Sequence, residues 1–327
     1  MKAERWVVCE LCPRECRLAP GERGDCRIRA NLDGRMVALT YGCPCSIHID
    51  PMEKKPLYHF LPGAPILSLA TVGCNLHCKN CQNWEISQAN PEDVEAVPLP
   101  PAVLVQLARS ERCPAIAYTY TEPVAWFEYT LDSARIARDV GIRNVLVTAG
   151  YVNEAPWREL LSVSDAANID LKFMNDERYR EVCDGELAPI LRAIEICRAM
   201  GVWLEITNLV IPTLNDSDAD FRAVARWIHD HVGADVPLHF SGFHPQYRLR
   251  HLPATPGATL ERARDIARAE GLKFVYVGNV RVPEGGTTFC PECGRAVIRR
   301  VGFNVVEHHV VGGACGYCAT TIPGVWK

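Results

Sequence analysis

Gly73-Cys74-Asn75-Leu76-His77-Cys78-Lys79-Asn80-Cys81 follows directly on the apolar run Pro65-Ile66-Leu67-Ser68-Leu69-Ala70-Thr71-Val72. A β-rich run that opens into three thiols at CxxxCxxC spacing offers three corners to a cubic iron–sulfur cluster. The fourth iron is then left without a protein ligand, as a cluster needs if it is to bind and reduce a small molecule. The spacing differs from the ferredoxin Cys-x2-Cys-x2-Cys run, which encloses its cluster. Three loop thiols, or a three-cysteine zinc site short of a fourth ligand, are the competing readings. The placement after a strand weighs against both.

Working outward, residues 66–72, 115–121, 144–148, 167–172, 202–210, 237–243 and 273–277 read as strands. They are nearly continuous apolar runs, as in parallel strands buried on both faces. Helical stripes lie between them: Phe127, Leu131, Ala134 and Ala137; then Phe221, Val224, Ala225, Ile228 and Val232; then Leu260, Ala263, Ile266 and Ala267. Asn215, Asp216 or Ser217 caps the second stripe and Gly233 stops it, while Thr259 precedes the third. Seven βα-type repeats predict an α/β fold, a complete or partial (β/α) barrel. A doubly wound open sheet is the alternative, weakened because no Gly-x-Gly-x-x-Gly follows the first strand. The expected organisation is a Cys-rich region over 1–63, the barrel over 64–284 and a zinc-ribbon or rubredoxin-like module over 285–327.

Polar residues collect at the C-terminal ends of these strands, where barrel enzymes carry their chemistry. Thr119, Thr121, Glu122 and Pro123 follow the second strand. Thr148, Gly150 and Asn153 follow the third, and Asp170 and Lys172 end the fourth. Glu205, Thr207 and Asn208 lie on the fifth, His239, Ser241 and His244 on or after the sixth, and Gly278 and Asn279 end the seventh. Any one of them reads as a satisfied structural group, and Glu122 and Lys172 also as members of an internal ion pair. Seven consecutive polar strand ends read as one site.

The chain has 327 residues and a formal net charge of −4. That balance disfavours a nonspecific nucleic-acid binder, which is more often basic. No apolar run of 18 residues offers a membrane span, and the first residues lack a signal-peptide core, so a cytoplasmic location is expected. In such a chain, 16 cysteines point to metal more than to disulfides. Cys290-Pro-Glu-Cys293 and Cys315-Gly-Tyr-Cys318 form two knuckles that suit structural zinc, a rubredoxin-like iron or an auxiliary cluster. Cys9, Cys12, Cys16 and Cys26 form a second four-cysteine set for zinc or a second cluster, with free thiols near a docking surface as the alternative. Cys43 and Cys45 are too short a pair to close a site. Cys197 falls on an apolar helix face as a core residue, and Cys113 and Cys183 have no assignment.

Residues 50–63, 71–88, Tyr118-Thr119-Tyr120-Thr121-Glu122-Pro123 and Tyr276-Val277-Gly278-Asn279 resemble radical SAM enzymes of the glycyl-radical-enzyme activase type. Within that type they are similar to the group called AmmeMemoRadiSam system radical SAM enzymes, to which the Glu53-Lys54-Lys55-Pro56-Leu57-Tyr58-His59-Phe60 stretch is specific. The resemblance implies a 4Fe–4S cluster on Cys74, Cys78 and Cys81, and S-adenosylmethionine as its ligand. Glu122-Pro123 is similar to the end of the Gly-Gly-Glu-Pro motif that holds the cofactor's amino group, although Tyr120 and Thr121 replace the glycines. Asp170-Leu171-Lys172 and Thr148 are similar to elements that hold a monovalent cation in the activases, although Val147 and Ala149 depart from that pattern. His244 matches a histidine near the cofactor. With Asn80, Thr207 and Asn279 these make up the expected cofactor-binding set. Asn80 stands where most members carry an aromatic residue. Trp84 either supplies that ring or packs in the barrel.

The resemblance thus implies an enzyme that cleaves S-adenosylmethionine reductively and takes a hydrogen atom from an unidentified substrate. A flavodoxin- or ferredoxin-like electron donor is expected, and the group's name points to Memo-like and Ammecr-like partners. An activase of the pyruvate formate-lyase type is the first alternative. A non-catalytic iron–sulfur or metal-binding protein is the second, disfavoured because it would not need a polar pocket the size of a cofactor. A nucleic-acid module led by the C-terminal ribbon is disfavoured by the charge balance and the lack of aromatic–basic interleaving.

Overall fold

The computed structural model describes residues 5–327. One eight-stranded sheet runs through the molecule: β1 (Ser46–Pro51), β2 (Pro65–Ala70), β3 (Ala115–Tyr118), β4 (Arg143–Thr148), β5 (Ala166–Asp170), β6 (Trp203–Val210), β7 (Leu238–Gly242) and β8 (Val275–Gly278). Their order in space is their order in the chain. β1 pairs antiparallel with β2, with Ser46 opposite Ala70, and β2 to β8 are all parallel. A doubly wound sheet reverses its strand order at a switch point; this sheet has none, so the partial barrel is the form adopted. β1 and β8 are its two unpaired edges.

The parallel strands are mostly apolar because helices cover one face and the barrel interior lies against the other. Leu67, Leu69, Ile116, Leu146, Ile206 and Phe240 are all buried. Six longer helices lie between the strands: α1 (Pro101–Ser110), α2 (Phe127–Asp139), α3 (Glu154–Leu161), α4 (Leu187–Ala199), α5 (Asp218–His231) and α6 (Gly257–Ala269). Each turns one stripe inward. In α5 the stripe is Phe221, Val224, Ala225 and Ile228, and Ser217 is the cap, forming a reciprocal capping box with Asp220. In α6 the helix begins at Gly257, so Thr259 lies inside the first turn and does not cap it. Cys197 is fully buried on α4, as its apolar face requires. No helix among the described residues is long and apolar enough to cross a membrane.

The C-terminal hairpins β9 (Thr288–Phe289), β10 (Ala296–Val301) and β11 (Asn304–His308) join the barrel through buried polar groups. Arg300 Nη1 donates to Thr288 Oγ1 at 3.0 Å, and Arg300 Nε lies 3.2 Å from Glu53 Oε1. Thr288 Oγ1 lies 2.9 Å from Tyr276 Oη, which lies 2.5 Å from His59 Nε2. His59 Nδ1 lies 2.6 Å from the Pro323 carbonyl. That carbonyl only accepts, so Nδ1 carries the proton and Nε2 accepts from Tyr276. The donors then all run one way, from Arg300 through Thr288, Tyr276 and His59 to Pro323. The ring is neutral in this chain, and burial pushes its pKa down to about 4 from 6.5.

The unfolded chain protonates His59 near its ordinary pKa, whereas the folded chain resists until about 4. The stability this neutral ring contributes is therefore present above the ordinary histidine range and lost as pH falls toward the lower value. Urea unfolding at pH 7.5 and pH 5 is expected to show a loss of ~2 kcal/mol from this group, and His59→Gln is expected to remove that part of the slope.

Candidate active site

The chain leaves β2 through Gly73, whose φ of +79° suits a residue without a side chain. A Cβ there would lie 2.3 Å from the Cys26 carbonyl oxygen and 2.8 Å from Ile28 Cγ2. The cysteine loop that follows is fixed by backbone bonds from several sides. Gly73 N donates to Ile86 O at 2.9 Å. His77 N and Lys79 N donate to Cys183 O and Val182 O in a π-helical turn (Tyr179–Cys183). The segment after β7 closes over the loop, with Arg248 N donating to Lys79 O and Gln246 Nε2 to Gln82 O. From the N-terminal side, Arg14 Nε donates to Asn75 O at 2.7 Å.

The loop forms one wall of a cavity of about 510 Å³. Cys74, Cys78 and Cys81 line it, and Cys81 Sγ lies 3.2 Å from Ser87 Oγ. The remaining walls come from the strand ends: Thr119 beyond β3, Thr148 of β4, Asp170 of β5, Thr207 of β6, Ser241 of β7 and Asn279 beyond β8. Asn80 and Lys172 line it as well. Lys172 Nζ pairs with Asp170 Oδ2 at 2.6 Å. Burial pulls the Lys172 pKa down, but Asp170 and the neighbouring Cys78 outweigh it and hold the ammonium well above its ordinary value. Thr207 Oγ1 donates to Asn168 Oδ1 at 2.8 Å.

Two expected residues stand off this wall. Glu122 is buried, and both its oxygens are taken up by the protein. Thr148 Oγ1 and Val124 N donate to Oε1 at 2.6 and 3.0 Å, and Ala149 N donates to Oε2 at 2.9 Å. Burial raises its pKa, against those three bonds. Its contact with the cavity runs through Thr148. His244 is exposed beside the rim, where Nε2 donates to Asn279 O at 3.1 Å. Trp84 stacks on Tyr247 with centroids 5.2 Å apart, which packs it against the segment that closes over the loop.

Among the cavity residues outside the expected set are Lys54, Tyr120 and Phe303. Tyr120 was visible only as a departure from a glycine pair, and it takes a left-handed conformation that favours glycine, with φ +71°. Phe303 comes from the turn between β10 and β11, a connection that no local pattern announces. Cys183, without an assignment in the sequence, presents its carbonyl to the loop and its thiol to Cys78; that thiol lowers the pKa of Cys78.

These residues fit a three-cysteine iron–sulfur cluster. The three thiols are free, share one loop and face one cavity. Asn80 Oδ1, buried in the same wall, has no protein partner, as a group reserved for a polar ligand would have none. At the C-terminus, the sulfurs of Cys290, Cys293, Cys315 and Cys318 all lie within 4.8 Å of one another. Cys290–Cys318 and Cys293–Cys315 are 3.6 and 3.8 Å apart. Zinc–sulfur bonds of about 2.3 Å place tetrahedral thiolates about 3.8 Å apart.

Residues 68–228 match the Radical SAM superfamily. The chain is 43% identical over 318 residues to the uncharacterized protein MJ0808 of Methanocaldococcus jannaschii, covering 97% of this chain and 95% of that one. It is 23% identical over 194 residues to the pyruvate formate-lyase-activating enzyme of Clostridium pasteurianum, covering 56% of this chain and 81% of the relative. Among solved structures, a radical SAM methyltransferase from Sphaerobacter thermophilus shares the fold, with a TM-score of 0.53 at 17% identity, over 72% of this chain and 71% of that one.

Gly73→Ala is expected to destabilise the protein by about 2–3 kcal/mol in urea unfolding. Gly21→Ala shares the positive φ, at +89°, but a Cβ there meets nothing within 4 Å, so it is expected to cost only about 1 kcal/mol.

Proposed function

The chain belongs to the radical SAM superfamily, and from that premise we propose that it acts within the AmmeMemoRadiSam group on a substrate other than a glycyl-radical enzyme. It is a radical-generating enzyme with a S-adenosylmethionine-dependent reaction. The observation that carries the reading is that three free cysteines of one loop and the polar ends of six further parallel strands line a single cavity. A cluster held by Cys74, Cys78 and Cys81 would supply the single electron that reductive cleavage of S-adenosylmethionine needs.

The chain's own residues orient the ligand and keep water out. Cys74, Cys78 and Cys81 hold the cluster. Lys172, fixed by Asp170, presents a cation for the carboxylate of the ligand's methionine moiety. Thr148 is aimed by Glu122, so the glutamate is a positioning residue for the wall. Asn80 offers its carbonyl oxygen to a donor on the ligand, and Thr207 and Asn279 complete the polar surround. The strand ends and the closing segment around Gln246 and Arg248 exclude solvent, which would quench a radical.

A glycyl-radical activase is the second reading, favoured by the alignment with the pyruvate formate-lyase-activating enzyme. Memo-like and Ammecr-like proteins are the partners we propose under the first reading, with a flavodoxin- or ferredoxin-like donor under either. For the C-terminal cysteines we propose zinc, because the sulfur spacing matches a closed tetrahedron.

The enzyme, reconstituted without oxygen and reduced in the presence of S-adenosylmethionine, is expected to release 5′-deoxyadenosine, detected by liquid chromatography. Cys78→Ala is expected to release none. A cluster that leaves the spectrum of the reduced protein unchanged on adding S-adenosylmethionine would overturn the reading. Metal analysis of the same protein is expected to find one zinc per chain that Cys290→Ser and Cys315→Ser remove, with a loss of several kcal/mol in stability.

A further inference from the structure

We propose that Cys9, Cys12, Cys16 and Cys26 hold a second iron–sulfur cluster, a 4Fe–4S cube, directly behind the cysteine loop. All four are free, three are buried, and all four line one pocket together with Leu11, Val124 and Ala125. Four thiols from one 18-residue segment thus converge on one pocket, as the ligands of a bound metal group would.

The spacing of the sulfurs separates a cube from zinc. A zinc tetrahedron needs thiolates about 3.8 Å apart, and the C-terminal four meet that. Among the described residues, no three of the N-terminal four have sulfurs all within 4.8 Å of one another, and neither do Cys74, Cys78 and Cys81. Neither set therefore shows the close sulfur packing of the C-terminal one. A cube of iron and sulfide holds its thiolates farther apart than a single ion does.

The surroundings supply what cluster sulfurs require, namely hydrogen-bond donors and positive charge. The Cys16 sulfur accepts from Asp25 N at 3.5 Å, as the Cys74 sulfur accepts from Leu76 N at 3.4 Å in the cysteine loop. Asn75 and Arg14 line the pocket beside Cys12. Arg14 and Arg29 bring positive charge to the pocket wall, held there by Asp25 and Glu128.

The two sites touch. Asn75 follows Cys74 in the chain and also lines the N-terminal pocket, and the Cys26 carbonyl lies against Gly73. The second cluster is thus placed to take one electron from an external flavin or iron–sulfur donor and pass it to the loop cluster, with no bond made or broken. This electron-relay role rests on the radical reading above; the binding site does not.

The test uses the full chain carrying Cys74→Ala, Cys78→Ala and Cys81→Ala, reconstituted with iron and sulfide without oxygen. About four irons and four acid-labile sulfides per chain are expected, with loss of both on adding Cys12→Ser and Cys16→Ser. Zinc without sulfide, or sulfide that survives those two substitutions, would overturn the site. In the otherwise wild-type chain the same two substitutions are expected to halve the sulfide, which covers the case in which the triple variant does not fold. Electron paramagnetic resonance of the fully reduced wild-type protein is expected to show the broadening of two interacting spins, absent when either site is removed. Two independent signals would overturn the relay. Failure of the radical reading would leave the iron and sulfide counts as stated, so the two failures are distinguishable.

Discussion

The contact between Gly73 and the Cys26 carbonyl is the constraint on which the rest of the site depends. With a side chain at position 73 the chain could not leave β2 at this angle while the N-terminal segment lay against it, since a Cβ would lie 2.3 Å from that oxygen. The loop that carries Cys74, Cys78 and Cys81 starts at this turn. Arg14 reaches across the same seam to the Asn75 carbonyl and to Asp25 and Asp184. His77, inside the loop, completes the join through Asp25. The N-terminal segment is therefore the back of the cysteine loop.

A second buried polar assembly holds another end of the barrel. Glu205 is fully buried and accepts from Tyr58 N, His59 N, Trp203 Nε1 and His239 Nε2. Arg300 and Glu53 pair nearby with both side chains inaccessible to solvent. Buried ion pairs of this kind add little net stability, because desolvation offsets the attraction. What they fix is register. Arg300 engages Glu53, the Tyr58 carbonyl and Thr288 together, so β10 has one seat on the barrel. Three residues further on, Phe303 reaches the cavity wall. The four C-terminal cysteines flank in sequence the hairpin that carries Phe303 to the cavity.

The parallel sheet was legible because each strand is apolar on both faces and each intervening helix has one apolar stripe. The strand runs at 115–121 and 167–172 overshoot their ends, since Thr119 and Leu171 continue the apolar or β-prone pattern after the pairing stops. β1 was not legible. Ser46-Ile47-His48-Ile49-Asp50-Pro51 is short and half polar, and it becomes a strand by lying antiparallel on β2, a non-local gain. Of the expected site residues, those at strand ends came together because strand ends share one rim. Glu122 stands behind the cavity wall, and its partners Thr148 and Ala149 lie a whole βα unit away. No local pattern states that its two oxygens are already engaged.

The tyrosine and threonine at positions 120 and 121 are held by residues that precede them by fifty to seventy positions. Tyr120 holds φ at +71°, a conformation that costs a bulky residue about 1–3 kcal/mol. Its hydroxyl is engaged by Lys55 Nζ at 2.9 Å and by Asp50, and Lys55 also lies 4.2 Å from the ring centroid. Lys55 is buried, which pulls its pKa down to about 8 even with Asp50 beside it. An ammonium kept so dry has few alternatives to the Tyr120 ring and hydroxyl, and the ring in turn is held in the glycine-like turn. Thr121 contributes by donating to the Thr71 carbonyl at 2.8 Å, which ties the turn to the start of the cysteine loop. The Glu53-Lys54-Lys55 stretch and the Tyr120-Thr121 departure are one structural unit. It substitutes side-chain bonds for the backbone freedom of glycine while leaving the same strand end open to the cavity.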